Sequence, residues 1–216
     1  MTGIVYLKEK IRVIPNGVDT HRFRPDAEKK AALRERYGIH ATEMVLVLVG
    51  NLFQAKGLDC ILEAMGSLKG VKLFIIREDV HLPSYRKLVQ ESGLGNRVIF
   101  TGKVIAGIED YYTAFDIFLL PSESEGFPLP VLEAAASGLP LLTTRVGGLS
   151  EFLEDGNNGY FIHRDPEDIA RLVRQLVNVP LLKKSMGIAA RKKAEEYSWD
   201  KVVQRTLEVY HKLMIV

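Results

Sequence analysis

The 216-residue chain has a single cysteine, Cys60, a single tryptophan and almost no net charge. One thiol excludes an intrachain disulfide and any cysteine-rich zinc site. With 29 basic against 27 acidic residues the formal charge is +2, so no nucleic-acid partner is expected from bulk electrostatics. Long apolar runs are missing too. MVLVLV at 44–49 and IFLL at 117–120 fall far short of the ~20 residues that span a bilayer. The opening MTGIVYLKEK has no basic stretch followed by an apolar core, so no secretory signal is expected and a cytoplasmic protein is the default. No G-x-G-x-x-G follows an apolar run, which argues against a dinucleotide enzyme. The histidines at 21, 40, 81, 163 and 211 fall in no metal-ligand spacing, so neither a metal nor another cofactor is expected.

What the chain does have is alternation. Short apolar runs bounded by glycine or proline occur at Met44–Val49, Val71–Ile76, Val98–Phe100, Asp116–Leu120 and Leu141–Thr144. Runs this short and this apolar suit parallel strands covered on both faces. Between them lies helical periodicity. Leu58, Ile61, Leu62 and Met65 form one stripe, with Cys60 beside it as a buried small hydrophobe. Glu133–Ser137 runs into Gly138 and Pro140, a helix stop, and Asp165-Pro166-Glu167-Asp168 is a helix start. Two more helical segments cover 181–196 and 199–214. The pattern predicts one α/β domain over 1–216, a doubly wound, mainly parallel Rossmann-like sheet with helices on both faces. Residues 1–11 read as a linker or tail.

In such a sheet ligands bind beyond the carboxyl ends of the strands, and three junctions there have the composition of an anion site. Gly50-Asn51-Leu52-Phe53-Gln54-Ala55-Lys56-Gly57 offers a glycine for close approach and a lysine just ahead of a helix. Pro121-Ser122-Glu123-Ser124-Glu125-Gly126-Phe127-Pro128-Leu129-Pro130-Val131-Leu132-Glu133 places Glu125 in a loop and Glu133 one turn inside a helix. Their carboxylates are placed to address different hydroxyls of one extended ligand. The amides of Gly126, Phe127, Leu129, Val131 and Leu132 lie between them as donors, while Pro128 and Pro130 contribute none. The third junction, Val146-Gly147-Gly148-Leu149-Ser150-Glu151, is either an anion-binding nest or a tight turn.

Taken together, these blocks resemble the C-terminal half of retaining GT-B glycosyltransferases of the group 1 family. The likeness runs from about Arg12 to the end and includes Ile14–Pro25, the GNLFQAKG loop and, most specifically, Tyr111–Ile162. The resemblance implies a donor-binding domain for a nucleoside-diphosphate sugar, with Glu125 and Lys56 as the catalytic pair. Glu125 would hold sugar hydroxyls and Lys56 would neutralise the leaving diphosphate. The amides of Gly126, Phe127 and Leu129 would help seat sugar and phosphate, Gly50 and Asn51 would belong to the donor-binding loop, Glu133 would hold the ribose, and Lys103 and Val104 would line the nucleobase. Transfer would retain the anomeric configuration and need no metal. The alternative is a non-catalytic module of the same fold that binds a nucleotide or a protein.

Two departures from the family pattern stand out. Asn51 occupies the place of a usual arginine, and Arg77-Glu78-Asp79-Val80 replaces a glycine-rich turn. Losing one charged donor costs about 1.5–3 kcal/mol unless Arg77 or another base compensates. The acceptor-binding N-terminal domain of the family is expected to lie outside this chain. The segment 199–214, which would brace it, is then expected to leave Trp199, Val203 or Tyr210 partly exposed. Lys183-Lys184 and Arg191-Lys192-Lys193 read as a solvated helix face or as a weak contact with an anionic membrane surface.

Overall fold

Val45 through Val49 are between 0 and 2% exposed in a computed structural model of the chain, which describes residues 11–214. The linker or tail expected over 1–11 therefore lies outside the described residues, save Ile11. A strand this dry on both faces must be central. The apolar runs give β1 (Met44–Val49), β2 (Val71–Ile76), β3 (Val98–Gly102), β4 (Ile117–Leu120) and β5 (Leu141–Thr143). A short β6 (Gly159–Phe161), too brief to show a sequence period, completes the sheet. All five pairings are parallel, in the order β3-β2-β1-β4-β5-β6. The doubly wound architecture is present as expected.

The connecting helices are α1 (Ala27–Arg36), α2 (Leu58–Ser67), α3 (Leu82–Glu91), α4 (Ile108–Ala114) and α5 (Leu129–Ala136). After them come α6 (Leu149–Phe152), α7 (Pro166–Asn178), α8 (Pro180–Glu195) and α9 (Trp199–Met214). Local chemistry fixes their ends. Asp165 caps α7 by accepting the Asp168 amide at 2.8 Å, with Pro166 at the first helical position. Gly138 ends α5 at φ +79°, a left-handed conformation open to glycine. The expected stripe of α2 is the buried one: Leu58, Ile61 and Met65 are 0% exposed and Leu62 is 5%. Cys60 is only partly buried at the edge of that stripe, its Sγ 3.6 Å from the Arg164 carbonyl.

No helix among the described residues is long and apolar enough to cross a membrane. Of the basic cluster, Lys183 lies 3.6 Å from Asp116 and Lys193 pairs with Glu154 at 2.9 Å. Arg191 donates to the carbonyls of Phe23, Thr20 and Ala136. Three of the five side chains thus have internal partners, which leaves Lys184 and Lys192 for any outside surface.

Candidate functional site

Strand order reverses direction between β1 and β4, and a cavity of about 450 Å³ opens at their carboxyl ends. Its lining comes from the first two junctions: Gly50, Asn51, Leu52 and Lys56 on one side, Pro128 and Pro130 on the other. This is where an open α/β sheet takes its ligands.

The β1–α2 loop presents Lys56. Gly50 lies alongside that side chain at φ +153°, where a Cβ would be in ordinary contact with the lysine Cε at 3.4 Å. Gly57, at φ +78°, lets the loop press onto Pro121, where any Cβ would fall 2.4 Å from the carbonyl oxygen. Lys56 Nζ is ion-paired to Glu125, and the two side chains are only 21% and 9% exposed. The pair joins the two junctions and is electrically neutral.

Glu125 sits in a loop that is held from below and from both sides. The Glu123 amide donates to the Ala55 carbonyl at 2.9 Å, and the Ser122 hydroxyl donates to the Ser124 carbonyl at 3.2 Å. Thr144, just past β5, donates to the Ser122 carbonyl at 2.6 Å. The Asn16 amide donates to the Phe127 carbonyl at 3.0 Å. The Phe127 ring faces away from the cavity lining, stacked on Tyr197 at 5.5 Å and edge-on to Phe152 at 6.1 Å. Among the described residues the amides of Gly126, Phe127 and Leu129 meet no acceptor, as an anion site requires. The Val131 amide, expected as a further donor, is bonded instead to the Pro128 carbonyl at 3.2 Å.

The third junction is a buttress rather than a nest. The Gly148 amide donates to the Gly126 carbonyl at 2.8 Å. A Cβ on Gly147 would fall 2.0 Å from the Glu125 carbonyl oxygen, and one on Gly148 would fall 2.1 Å from the Phe127 ring. Paired glycines are needed so that this backbone can lie against the Glu125 loop.

Glu133 projects from the first turns of α5 and is partly buried. Burial pushes its carboxyl above the usual range. The Tyr112 hydroxyl and the charges of Arg77 and Arg22 pull it only part of the way back. Tyr112 reaches it from α4, donating at 2.8 Å, and is itself 0% exposed. A solvated helix glutamate would have neither feature. Tyr112 and Asn16 were not recognisable as site residues from sequence, since a tyrosine in an apolar helix reads as core and an asparagine before glycine reads as a turn.

Asn51 is exposed on the rim of the same cavity. Lys103 and Val104 follow β3, two strands away from β1, with Lys103 exposed and Val104 packed partly against the core. The structure thus brings Gly50, Asn51 and Lys56 around one opening, ties Glu125 to it through Lys56, and sets the amides of Gly126, Phe127 and Leu129 in the loop that runs through its Pro128 wall. Glu133 stands behind it on α5, and Lys103 and Val104 lie on its β3 side.

The chain is 32% identical over 217 residues to a D-inositol 3-phosphate glycosyltransferase from Streptomyces scabiei, covering 94% of this chain and 48% of that protein. It spans about half the length of the curated relatives it matches. The solved C-terminal domain of a group 1 family glycosyl transferase from Francisella tularensis superposes with a TM-score of 0.75 at 25% identity, covering 85% of this chain and all (100%) of that one. The Anabaena protein HepE, solved in complex with UDP-glucose, shares the fold at TM-score 0.85 and 22% identity, over 95% of this chain and 57% of its own. Residues 29–193 match the model of the glycosyl transferases group 1. The chain belongs to that family, and its sheet is the one found in the C-terminal half of a GT-B glycosyltransferase.

Proposed function

We propose that this domain binds a nucleoside-diphosphate sugar and, within a larger or two-part enzyme, supports hexosyl transfer with retention of configuration. The observation that carries the reading is the opening between β1 and β4, lined by Lys56 with Glu125 paired to it, and the unpartnered amides of the loop that supplies its Pro128 wall. As the bond to the anomeric carbon breaks, negative charge grows on the diphosphate. Fixed amides and a cation placed before the reaction stabilise that charge without reorganisation. Glu125 is the acceptor for sugar hydroxyls. Glu133, held by Tyr112, is the acceptor for the ribose. Lys103 and Val104 line the side where the base would lie. HepE, which has the same fold, was solved with UDP-glucose, and this supports the class of ligand.

The acceptor and its activation belong to a second domain in this reading. Trp199, Val203, Leu207 and Tyr210 form one stripe along α9 and are 48%, 53%, 48% and 57% exposed. Such a stripe suits a face covered by another folded unit. By itself the domain is then expected to bind nucleotide and to transfer no sugar.

Calorimetric titration with UDP, GDP and ADP tests the proposal. Saturable binding of one of them, weakened at least about tenfold by Glu133→Ala, is the expected result. Binding that is insensitive to Glu133→Ala, or no binding of any nucleotide, counts against it and favours a protein-binding module.

A further inference from the structure

Only two non-glycine residues among the described ones have positive φ, Leu52 at 55° and Arg77 at 109°. Leu52, after β1, lines the cavity, and Arg77 follows β2, the strand paired with β1. The left-handed region strains any residue with a Cβ, and strain of this kind persists only where neighbours enforce it. Here the neighbours are identifiable. The Arg77 amide donates to the Gly102 carbonyl at 3.0 Å. Two residues on, Asp79 accepts the Phe53 amide at 2.7 Å and the His81 amide at 2.7 Å, tying the turn to the β1–α2 loop. A glycine at position 77 would adopt the same backbone freely. The chain instead carries its longest cationic side chain at that point.

Position 77 is also the right place for a ligand-binding cation. β1 and β2 run in register, Val49 opposite Ile76, so Arg77 stands opposite Gly50, and β1 alone separates it from β4. The guanidinium is exposed and has no ion-pair partner among the described residues. Its charge nevertheless reaches both Glu133 and Tyr112, drawing each toward its ionised form. Lys56, by contrast, is already neutralised by Glu125. A diphosphate entering the opening therefore meets one cation that is spoken for and one that is not.

We infer that Arg77 is a donor-binding residue that holds the phosphate next to the ribose, its guanidinium reaching across Gly50 toward Glu133. The inference rests on the nucleotide-sugar reading given above and adds a residue and a subsite to it. A guanidinium suits the role because it presents paired N–H donors to two phosphate oxygens at once.

The test measures Kd for the nucleoside diphosphate that binds, for its monophosphate and for the free nucleoside, with Arg77→Gln and Arg77→Gly, alongside thermal unfolding. Arg77→Gln keeps the backbone strain and removes the charge. Arg77→Gly removes both. Both variants are expected to bind the mono- and diphosphate about tenfold more weakly and the nucleoside as before. Arg77→Gly is expected to unfold no earlier than the parent chain, so lost affinity cannot be lost fold. Affinities within about twofold of the parent, or equal weakening of the nucleoside, overturn the assignment. If the parent chain binds none of the nucleotides, the broader reading fails first and Arg77 falls with it.

Discussion

The two ends of β4 carry buried or half-buried carboxylates in opposite states. At its start, Asp116 faces Lys30 at 3.0 Å, Arg34 at 3.1 Å and Lys183 at 3.6 Å, and accepts the Val45 amide at 3.0 Å. Burial pushes that carboxyl up, but Lys30, Lys183 and the amide outweigh it, and it lies below its ordinary value. Past the strand's other end, burial wins at Glu133, which has a single hydroxyl as hydrogen-bond partner and lies above its ordinary value. The first carboxylate is saturated by the fold. The second is left short of donors, as a group that must accept ligand hydroxyls has to be. In the proposed reading one end of the sheet serves stability and the other serves binding.

Asp116→Ala should break this contrast most severely. It removes the carboxylate that neutralises Arg34, 11% exposed, whose guanidinium keeps only the carbonyls of Ala114, His40 and Glu43, and it takes the side-chain acceptor from the Val45 amide. Removing one partner of a buried charge network typically costs about 3–5 kcal/mol. Chemical denaturation should show a loss of that size. The depressed carboxyl fixes the sign with pH: its contribution is present above the ordinary aspartate range and is lost as pH falls through the lowered value. The stability difference between the parent chain and Asp116→Ala should therefore narrow in acid.

The next largest effect is expected at the other end, in a residue that makes no ligand contact. Gly147→Ala adds a Cβ 2.0 Å from the Glu125 carbonyl oxygen at a φ of +51°. The Glu125 loop must shift, so nucleotide affinity should collapse, while unfolding free energy falls by only about 1–3 kcal/mol. An alanine variant with full nucleotide affinity would mean that the loop's position does not govern binding.

These cases also show what was legible in the sequence. β1 and β2 have the boundaries that their apolar runs announce, because a strand dry on both faces leaves no ambiguity of period. The Lys56, Glu125 and Glu133 junctions were legible because glycine, proline and charge interrupt apolar runs at strand ends. β6 was not, since three residues, one of them glycine, show no alternation. The role of Gly147-Gly148 was left open for a different reason. Whether two glycines bind an anion or admit a neighbouring backbone depends on what lies opposite, and the opposite residues are some twenty positions earlier in the chain. Tyr112 was hidden in the same way: its partner is on another helix, 21 residues away in sequence.

Glu133→Gln gives the smallest expected effect and the sharpest version of the comparison, because two readouts should move in opposite directions. A carboxyl held above its ordinary value is one whose neutral form the fold prefers. Its contribution to stability is complete below the unfolded-state value and is lost as pH rises through the raised one. Glutamine imitates the neutral form and still accepts from Tyr112. The variant should therefore unfold later than the parent chain near neutral pH, with the gap closing as pH falls toward the ordinary glutamate range. Its nucleotide affinity should drop by about tenfold, since a neutral amide accepts hydroxyls less strongly than a carboxylate. For the parent chain, affinity itself should weaken in mild acid as Glu133 takes up its proton, and the variant should lack that dependence. A variant that binds as tightly as the parent while gaining no stability would place Glu133 with Asp116, as a carboxylate serving the fold alone.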